Sequence, residues 1–238
     1  MLTLYCFPSS GSAASMYHAW IQPLREHNIN VVALEYPGRG SRFGEPFVNS
    51  IQALCEDLCS QIEEHLSKSS EFAFFGHSLG GLVSFECTRL ISKKHHRLPT
   101  HLFVSSRHSP NNKVASSLSN SSSDSELTAT LAQMGGLPID ILANSELMEL
   151  LLPIIRSDLN LNEQYENVDP SKIAVPITAV YGDIDPVVDR DKIQQWREFT
   201  QSDFKLLEMR GDHFYFHSDL KQLLPSLISV FESSSNLP

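Results

Sequence analysis

Short apolar runs alternate along the chain with segments whose apolar residues recur at helical spacing. Six runs are almost continuously hydrophobic, which is typical of strands buried on both faces of a parallel sheet. They are Leu2–Phe7, Val31–Tyr36, Phe72–Phe75, Leu102–Ser105, Ile177–Tyr181 and Phe204–Met209. Apolar stripes at i, i+3, i+4 and i+7 predict helices between them, within Ile51–Leu66, Leu79–Ile91 and Asp219–Phe231. This alternation predicts an α/β fold, with a mostly parallel central sheet flanked by helices.

One connection, from Arg107 to Pro176, is far longer than the dozen or so residues that a parallel crossover needs. It opens with a polar run, Ser116–Ser125, which predicts a mobile loop. Helical patterns follow at Leu127–Met134, Ile139–Leu142 and Glu146–Ile155. Ligands of open α/β sheets bind beyond the carboxyl ends of the strands. We therefore interpret residues 107–176 as a helical lid within a single domain, 1–238; the alternative is a small second domain without a role at the site.

Composition and charge exclude several functions. The 238 residues are 41% hydrophobic and 19% charged, which suits a folded domain with a sizeable core. A net charge of −10 disfavours binding to nucleic acids or to anionic membranes. No apolar run reaches the roughly 18 residues of a membrane span. The first residues read as a strand rather than a secretion signal, so we expect a cytoplasmic protein. The four cysteines lack metal-ligand spacing, so we expect neither a metal site nor disulfides.

A glycine-flanked serine after the third predicted strand is the strongest candidate for chemistry. The segment Gly76-His77-Ser78-Leu79-Gly80-Gly81 matches the pattern Gly-x-Ser-x-Gly, and a helical pattern follows it directly. A strand, a tight turn and a helix in this order form the nucleophile elbow of serine hydrolases. The helix N-terminus favours negative charge beside the serine. We therefore predict Ser78 as the nucleophile; the alternative is a turn that merely holds a serine.

A serine hydroxyl needs a base that accepts its proton. Among ten histidines, His213 stands out because it lies on a glycine-containing loop directly after the last predicted strand. The acid should follow the preceding strand, and there we prefer Asp185 to Asp183. Further aspartates nearby are Asp189 and Asp191. The chain order Ser78, Asp185, His213 is that of α/β hydrolases.

Acyl-transfer chemistry also needs two N–H groups that stabilise an oxyanion. One should be the backbone N–H of Leu79, the residue after the nucleophile. The other should come from the small, turn-forming loop after the first strand, where we choose Ser10. We interpret His77 as a packed residue of the elbow rather than as the base, since adjacent side chains on a sharp turn point apart.

Several segments together resemble one known family. They are Phe7–Ala14, Tyr36-Pro37-Gly38-Arg39-Gly40, Gly76–Gly81, Ser105–Pro110, Met134–Pro138, Leu151–Asp158, Pro176–Pro186 and Gly211–Phe214. They resemble the type II, external thioesterases of polyketide and nonribosomal peptide assembly, over nearly the whole chain. Ser9 and Ser12 stand where that family usually has His and Gly. Asp212 replaces a common Gly, and we interpret it as a loop-capping residue.

The resemblance implies an α/β-hydrolase fold and hydrolysis of acyl groups from the phosphopantetheine arm of acyl- or peptidyl-carrier proteins. Ser78, His213 and Asp185 would act as a triad through an acyl-enzyme, without a cofactor of the protein's own. The role would be editing, by removal of stalled or wrong acyl groups. We expect a monomer that binds its carrier partners transiently and also takes small acyl thioesters.

Four further residues are candidates for substrate or carrier contacts. Met134 and Leu137, in the lid, would contact the acyl chain. Arg39 and Arg42 would offset like-charge repulsion of an acidic carrier protein; alternatively, both pair with carboxylates such as Glu35 or Glu45. Two other functions stay open: a small-ester hydrolase or lipase of the same fold, and a binding protein without catalysis.

Overall fold

A six-stranded parallel sheet forms the centre of the molecule. The computed structural model describes residues 2–66, 71–95, 97–112, 119–137 and 139–234. The strands are β1 (Leu2–Phe7), β2 (Ile29–Ala33), β3 (Phe72–His77), β4 (Leu102–Ser105), β5 (Ile177–Gly182) and β6 (Phe204–Met209). Their order is β2-β1-β3-β4-β5-β6, and every neighbouring pair is parallel. The strand order reverses between β1 and β3, so the carboxyl ends of these two strands flank the crevice where such sheets bind ligands.

Helices cover both faces of this sheet. They are α1 (His18–Arg25), α2 (Ile51–Leu66), α3 (Leu79–His95), α4 (Asp124–Met134), α5 (Ile139–Leu142), α6 (Ser145–Gln164), α7 (Arg190–Gln194), α8 (Tyr215–Ser218) and α9 (Leu220–Ser234). Short 3₁₀ helices lie at Ala14–Tyr17, Gly40–Arg42 and Gln195–Phe199. None of the helices, within the residues described, is long and apolar enough to cross a membrane.

The alternating side chains of the strands feed two cores, one on each face of the sheet. Tyr5 and Phe7 of β1 belong to the core that α2 and α3 cover, whereas Leu4 and Cys6 belong to the core beneath α1 and α9. All four cysteines are free and buried. The prediction of a sheet covered by helices on both faces is therefore correct. This double coverage explains why the strands are almost continuously apolar.

The lid helices lie where the sequence predicts them, with shifted boundaries. α4 begins at Asp124 because Ser123 caps it in a capping box with Glu126. The polar run therefore ends in a helix cap rather than a loop, and its residues 116–118 lie outside the described part. α6 continues past the predicted end, Ile155, to Gln164. β2 begins at Ile29 and ends at Ala33, so it starts before the predicted Val31 and ends before the predicted Tyr36.

Candidate active site

Ser78 occupies a sharp turn between β3 and α3. Its φ is +54°, in the left-handed region that L-residues rarely adopt. The turn is tight on both sides: a Cβ on Gly76 would lie 2.1 Å from the carbonyl oxygen of Gly80, and one on Gly80 would lie 2.0 Å from that of Phe7. The Ser78 N–H donates to the carbonyl of Ser105 at 2.8 Å. The strained serine is therefore held in place by the strand ends on either side of it.

His213 follows β6, and its ring is bound to the carboxylate of Asp185, which follows β5. Nδ1 of His213 lies 2.8 Å from Oδ2 and 3.1 Å from Oδ1 of Asp185. The N–H groups of Val187 and Val188 donate to the same carboxylate at 2.9 and 3.2 Å. The His213 side chain is 1% exposed and that of Asp185 is fully buried. The pair is thus fixed in one orientation, with Nε2 of the ring opposite the carboxylate.

The charge of Asp185 is maintained although the group is buried. Burial by itself raises the pKa of this carboxyl, but the hydrogen bond and attraction of His213, with the Val187 N–H, hold its pKa below the ordinary value. Nε2 of His213 is buried and has no hydrogen-bond partner among the described residues. His213 and Ser78 line the same cavity. The ring therefore offers a free nitrogen to a hydroxyl or to a ligand in that cavity.

The other aspartates near His213 accept backbone N–H groups of the surrounding loops instead. Asp183, the alternative acid, accepts the N–H of Gly211 at 2.8 Å and joins the two loops after β5 and β6. Asp212 accepts the N–H of Phe214 at 2.9 Å, which is the loop-capping position predicted for it. Asp189 caps α7 through the N–H groups of Asp191 and Lys192. Of these aspartates, the structure brings only Asp185 to His213.

His77, beside the serine, packs behind the site. Its Nδ1 lies 2.9 Å from Ser105 Oγ, which lies 2.8 Å from the hydroxyl of Tyr215. Burial, together with the nearby His213, lowers the pKa of His77 well below its ordinary value, so this ring is neutral. The sequence interpretation of His77 as a packed residue agrees with this placement. The partners Ser105 and Tyr215 carried no signal in the sequence, because they meet only across the sheet.

The loop after β1 lies against the elbow, as the contact between Gly80 and Phe7 requires. Ser9 and Ser10 of this loop line the cavity. Two residues of the lid helix α6 hold the loop: the carboxylate of Asp158 accepts the N–H of Gly11 at 2.8 Å, and the amide of Asn162 donates to Ser10 Oγ at 3.3 Å. The Leu79 N–H, on the first turn of α3, belongs to the same elbow. Ser10 therefore lines the same cavity as Ser78, and the oxyanion roles of Leu79 and Ser10 stay predictions.

Arg39 is not available to a docking partner. Its side chain is 5% exposed and forms a two-pronged ion pair with Asp158, at 2.5 and 2.7 Å. This partner differs from the carboxylates considered in the sequence analysis. Since a buried guanidinium cannot contact a carrier protein, the docking prediction for Arg39 is wrong. Asp158 was quoted only within a family segment, because no local pattern reveals that α6 meets the loop of Arg39.

Arg42 is also engaged by carboxylates. Its guanidinium binds Asp57 at 2.6 Å and Glu45 at 2.5 Å, and its side chain is 20% exposed. Two carboxylates around one cation leave a net negative charge there, which repels an acidic partner. The alternative of pairing with Glu45 is therefore correct, and carrier docking at Arg42 stays a prediction.

A cavity of about 50 Å³ joins the serine to the lid. Apolar side chains of the lid and of the loop after β5 form one end: Leu131, Met134, Ile155, Leu159, Val187 and Val188. The volume has room for a few water molecules. Of the two lid residues predicted to contact the substrate, Met134 lines the cavity and Leu137 does not. Among the residues the structure describes, no cluster of His, Cys, Asp and Glu side chains could hold a metal ion.

The geometry defines a class of protein before any comparison. A serine on a strand–turn–helix elbow, a His–Asp pair on the loops after β5 and β6, and a lid over the carboxyl edge are the parts of an α/β hydrolase. A family model described as "Thioesterase domain" matches residues 2–234. The chain belongs to the thioesterase family, and is a serine-dependent thioester hydrolase.

Relatives and solved structures agree with this class. Linear gramicidin dehydrogenase LgrE of Brevibacillus parabrevis is 32% identical, over 97% of this chain and 88% of its own. Its name describes a dehydrogenase, in contrast to the family model. The structure of ClbQ from the colibactin NRPS/PKS pathway is 31% identical with a TM-score of 0.88, and the match covers 98% of this chain and 97% of ClbQ. The type II thioesterase BorB from the borrelidin biosynthetic cluster is 29% identical with a TM-score of 0.85, and the match covers 96% of this chain and 92% of BorB.

Proposed function

We propose that this protein is a type II thioesterase that hydrolyses acyl thioesters from the phosphopantetheine arms of carrier proteins, in polyketide or nonribosomal peptide assembly. The carrying observation is the buried His213–Asp185 pair: His213 lines the same small cavity as Ser78, and its Nε2 has no other partner among the described residues. Relatives that belong to NRPS/PKS pathways, by their names, support the substrate class. The lid over the cavity supports an acyl substrate, since it excludes water from the reacting carbon.

The first half of the reaction forms an acyl-enzyme. The Ser78 hydroxyl attacks the thioester carbonyl while Nε2 of His213 accepts its proton. Asp185 holds the proton of Nδ1 and stabilises the imidazolium that forms. The C–S bond then breaks, the proton on Nε2 passes to the leaving sulfur, and the pantetheine thiol departs. The Asp185 carboxylate on Nδ1 of His213 supports the imidazolium step of this proposal.

The second half releases the acid. Nε2 of His213 accepts a proton from water, which attacks the acyl ester on Ser78. Collapse of the tetrahedral intermediate returns the proton to the serine oxygen and liberates the carboxylic acid. In both halves the N–H groups of Leu79 and of Ser10 stabilise the oxyanion, which is worth about 10²–10³ in rate for one such donor. No cofactor takes part, because the only prosthetic group is the substrate's own arm.

The biological role proposed is editing: the protein would remove stalled or wrong acyl groups from carrier domains. It would act as a monomer and bind each carrier only for a turnover. Because Arg39 is buried in its ion pair with Asp158, carrier binding would not use this guanidinium.

One assay tests the substrate class. Hydrolysis of an acyl-carrier protein, an acyl-CoA and a nitrophenyl ester with the same acyl group is compared for the wild type and Ser78→Ala. We expect the carrier thioester to have the highest kcat/KM, and Ser78→Ala to lose several orders of magnitude on all three. A higher kcat/KM for the nitrophenyl oxyester would favour a small-ester hydrolase. Absence of serine labelling by a fluorophosphonate would favour a protein without catalysis.

A further inference from the structure

Ser106, directly after β4, has a backbone conformation that serine rarely adopts. In the part of the chain that the structure describes, three residues other than glycine have a positive φ: Asn28 at +59°, Ser78 at +54° and Ser106 at +47°. Asn adopts this left-handed region more readily than most residues do, and Ser78 is the nucleophile of the proposed reaction. Neither reason applies to Ser106, so its backbone strain needs another explanation.

The backbone at this position does not itself require a serine. A glycine would adopt the same φ without a steric cost, because it has no Cβ. The Ser106 N–H donates to the carbonyl of Val180 in β5 at 2.7 Å, which is a bond that any residue except proline can make. A serine adds only its hydroxyl to these backbone contacts. The reason for a strained serine must therefore lie in what that hydroxyl binds.

The Ser106 hydroxyl contacts both loops that carry the His–Asp pair. The residue is 2% exposed, and its Oγ donates to the backbone carbonyl of His213 at 3.1 Å. Burial raises the pKa of Asp185, whereas the hydrogen bonds of His213, of the Val187 N–H and of the Ser106 hydroxyl lower it. A hydroxyl has a single proton. It therefore donates to one of these two acceptors at a time, and it lies within reach of both.

The place of β4 in the sheet explains why its end can reach these groups. β4 lies between β3, which leads to Ser78, and β5, which leads to Asp185. On one side, the carbonyl of Ser105 accepts the Ser78 N–H. On the other side, the hydroxyl of Ser106 extends past β5 to His213, which follows β6. β4 supplies no member of the proposed triad, but its end joins the serine elbow to the histidine loop.

We propose that Ser106 is a positioning residue for the His213–Asp185 pair: its hydroxyl fixes the backbone of the histidine loop, so that the ring keeps the orientation that both halves of the reaction need. This inference rests on the proposed triad. A misplacement of about 1 Å can cost roughly 10² in rate, so a loosened histidine loop should lower kcat. KM should change less, because the hydroxyl donates to the protein rather than to a ligand.

Two substitutions separate the hydroxyl from the strain. Ser106→Gly and Ser106→Ala both remove the hydroxyl, but only the alanine keeps a Cβ at positive φ. The glycine variant should therefore melt about 2–8 °C above the alanine variant. Both should nevertheless lose about tenfold in kcat per active site, with KM changed less than about twofold. Hydrolysis of butyryl-CoA gives kcat and KM, and titration of Ser78 with a fluorophosphonate counts the active sites.

Thr200→Val is the matched control. Thr200 is 5% exposed and also donates its hydroxyl to a backbone carbonyl, that of Val175 at 2.6 Å, but it lies before β6, at the amino edge of the sheet. This variant should lose stability and keep the wild-type kcat per active site. A wild-type kcat in Ser106→Gly, or kcat values that rise with melting temperature from the alanine to the glycine variant, would overturn the proposal. A His213→Gln variant that kept its kcat would instead refute the triad.

Discussion

Asp158 lies where three parts of the molecule meet, and its replacement should separate stability from catalysis. Its carboxylate joins the lid helix α6 to Arg39, and it also accepts the N–H of Gly11 in the loop that carries Ser10. Its side chain is 1% exposed. Removal of one partner from a buried ion pair costs about 3–5 kcal/mol. Loss of the acceptor for the Gly11 N–H adds about 1–3 kcal/mol.

Asp158→Ala should therefore lose a large part of a stability that is typically about 5–15 kcal/mol. The double variant Arg39→Met/Asp158→Leu removes both charges, so most of the ion-pair loss should be recovered. It still leaves the Gly11 N–H without an acceptor. We expect a stability about 1–3 kcal/mol below that of the wild type, from the unpaired Gly11 N–H, and a kcat lowered by about tenfold, since a loosened donor loses part of the 10²–10³ that a complete loss would cost.

Urea unfolding gives the stabilities, and titration of Ser78 with a fluorophosphonate counts the competent sites before kcat is compared. Arg42→Gln is the matched control, because the part-exposed Arg42–Asp57 pair should contribute only about 0–1 kcal/mol. If the double variant kept the wild-type kcat, Asp158 would not position the oxyanion loop. If the double variant were as unstable as Asp158→Ala, the ion pair would not account for most of the stability lost in Asp158→Ala.

Three other predictions follow from the geometry. Asp185→Asn should lower kcat by about 10⁴, and Asp183→Asn far less; kinetics with the opposite ranking would make Asp183 the acid. Met134→Trp should shift the preference towards shorter acyl chains, as measured by kcat/KM over a chain-length series, whereas Leu137→Trp should not, because only Met134 lines the cavity. Burial lowers the pKa of His101 to about 4, below roughly 6.5 in the unfolded chain. The neutral ring therefore stabilises the fold above about pH 6.5, and this contribution is lost as the pH falls towards 4. His101→Gln should reduce the loss of unfolding free energy over this pH range by up to about 3 kcal/mol. An unchanged pH dependence of the unfolding free energy would contradict this prediction.

The sequence by itself determined the features that arise from local patterns. β1 and β4 begin and end where their apolar runs do and are buried throughout, because a strand buried on both faces needs apolar side chains at nearly every position. β6 also has its predicted bounds, although Lys205 and Glu208 are exposed on this edge strand.

The elbow was predictable because its glycines and Ser78 form one local pattern. The contact that requires Gly76 is with Gly80, four positions on, although the contact that requires Gly80 is with Phe7 of β1. Chain order then directed attention to His213 and to the loop after β5.

The tertiary structure decided which residues meet across the molecule. The choice between Asp185 and Asp183 depends on how two loops pack, and both carboxylates fit the sequence pattern. The partner of Arg39 lies 119 positions away in the lid, at Asp158. Arg107 looks like any loop arginine in the sequence, and only the structure shows that it is buried without a carboxylate partner among the described residues. Long-range ion pairs and buried charges leave no periodic trace, because the fold alone brings such side chains together.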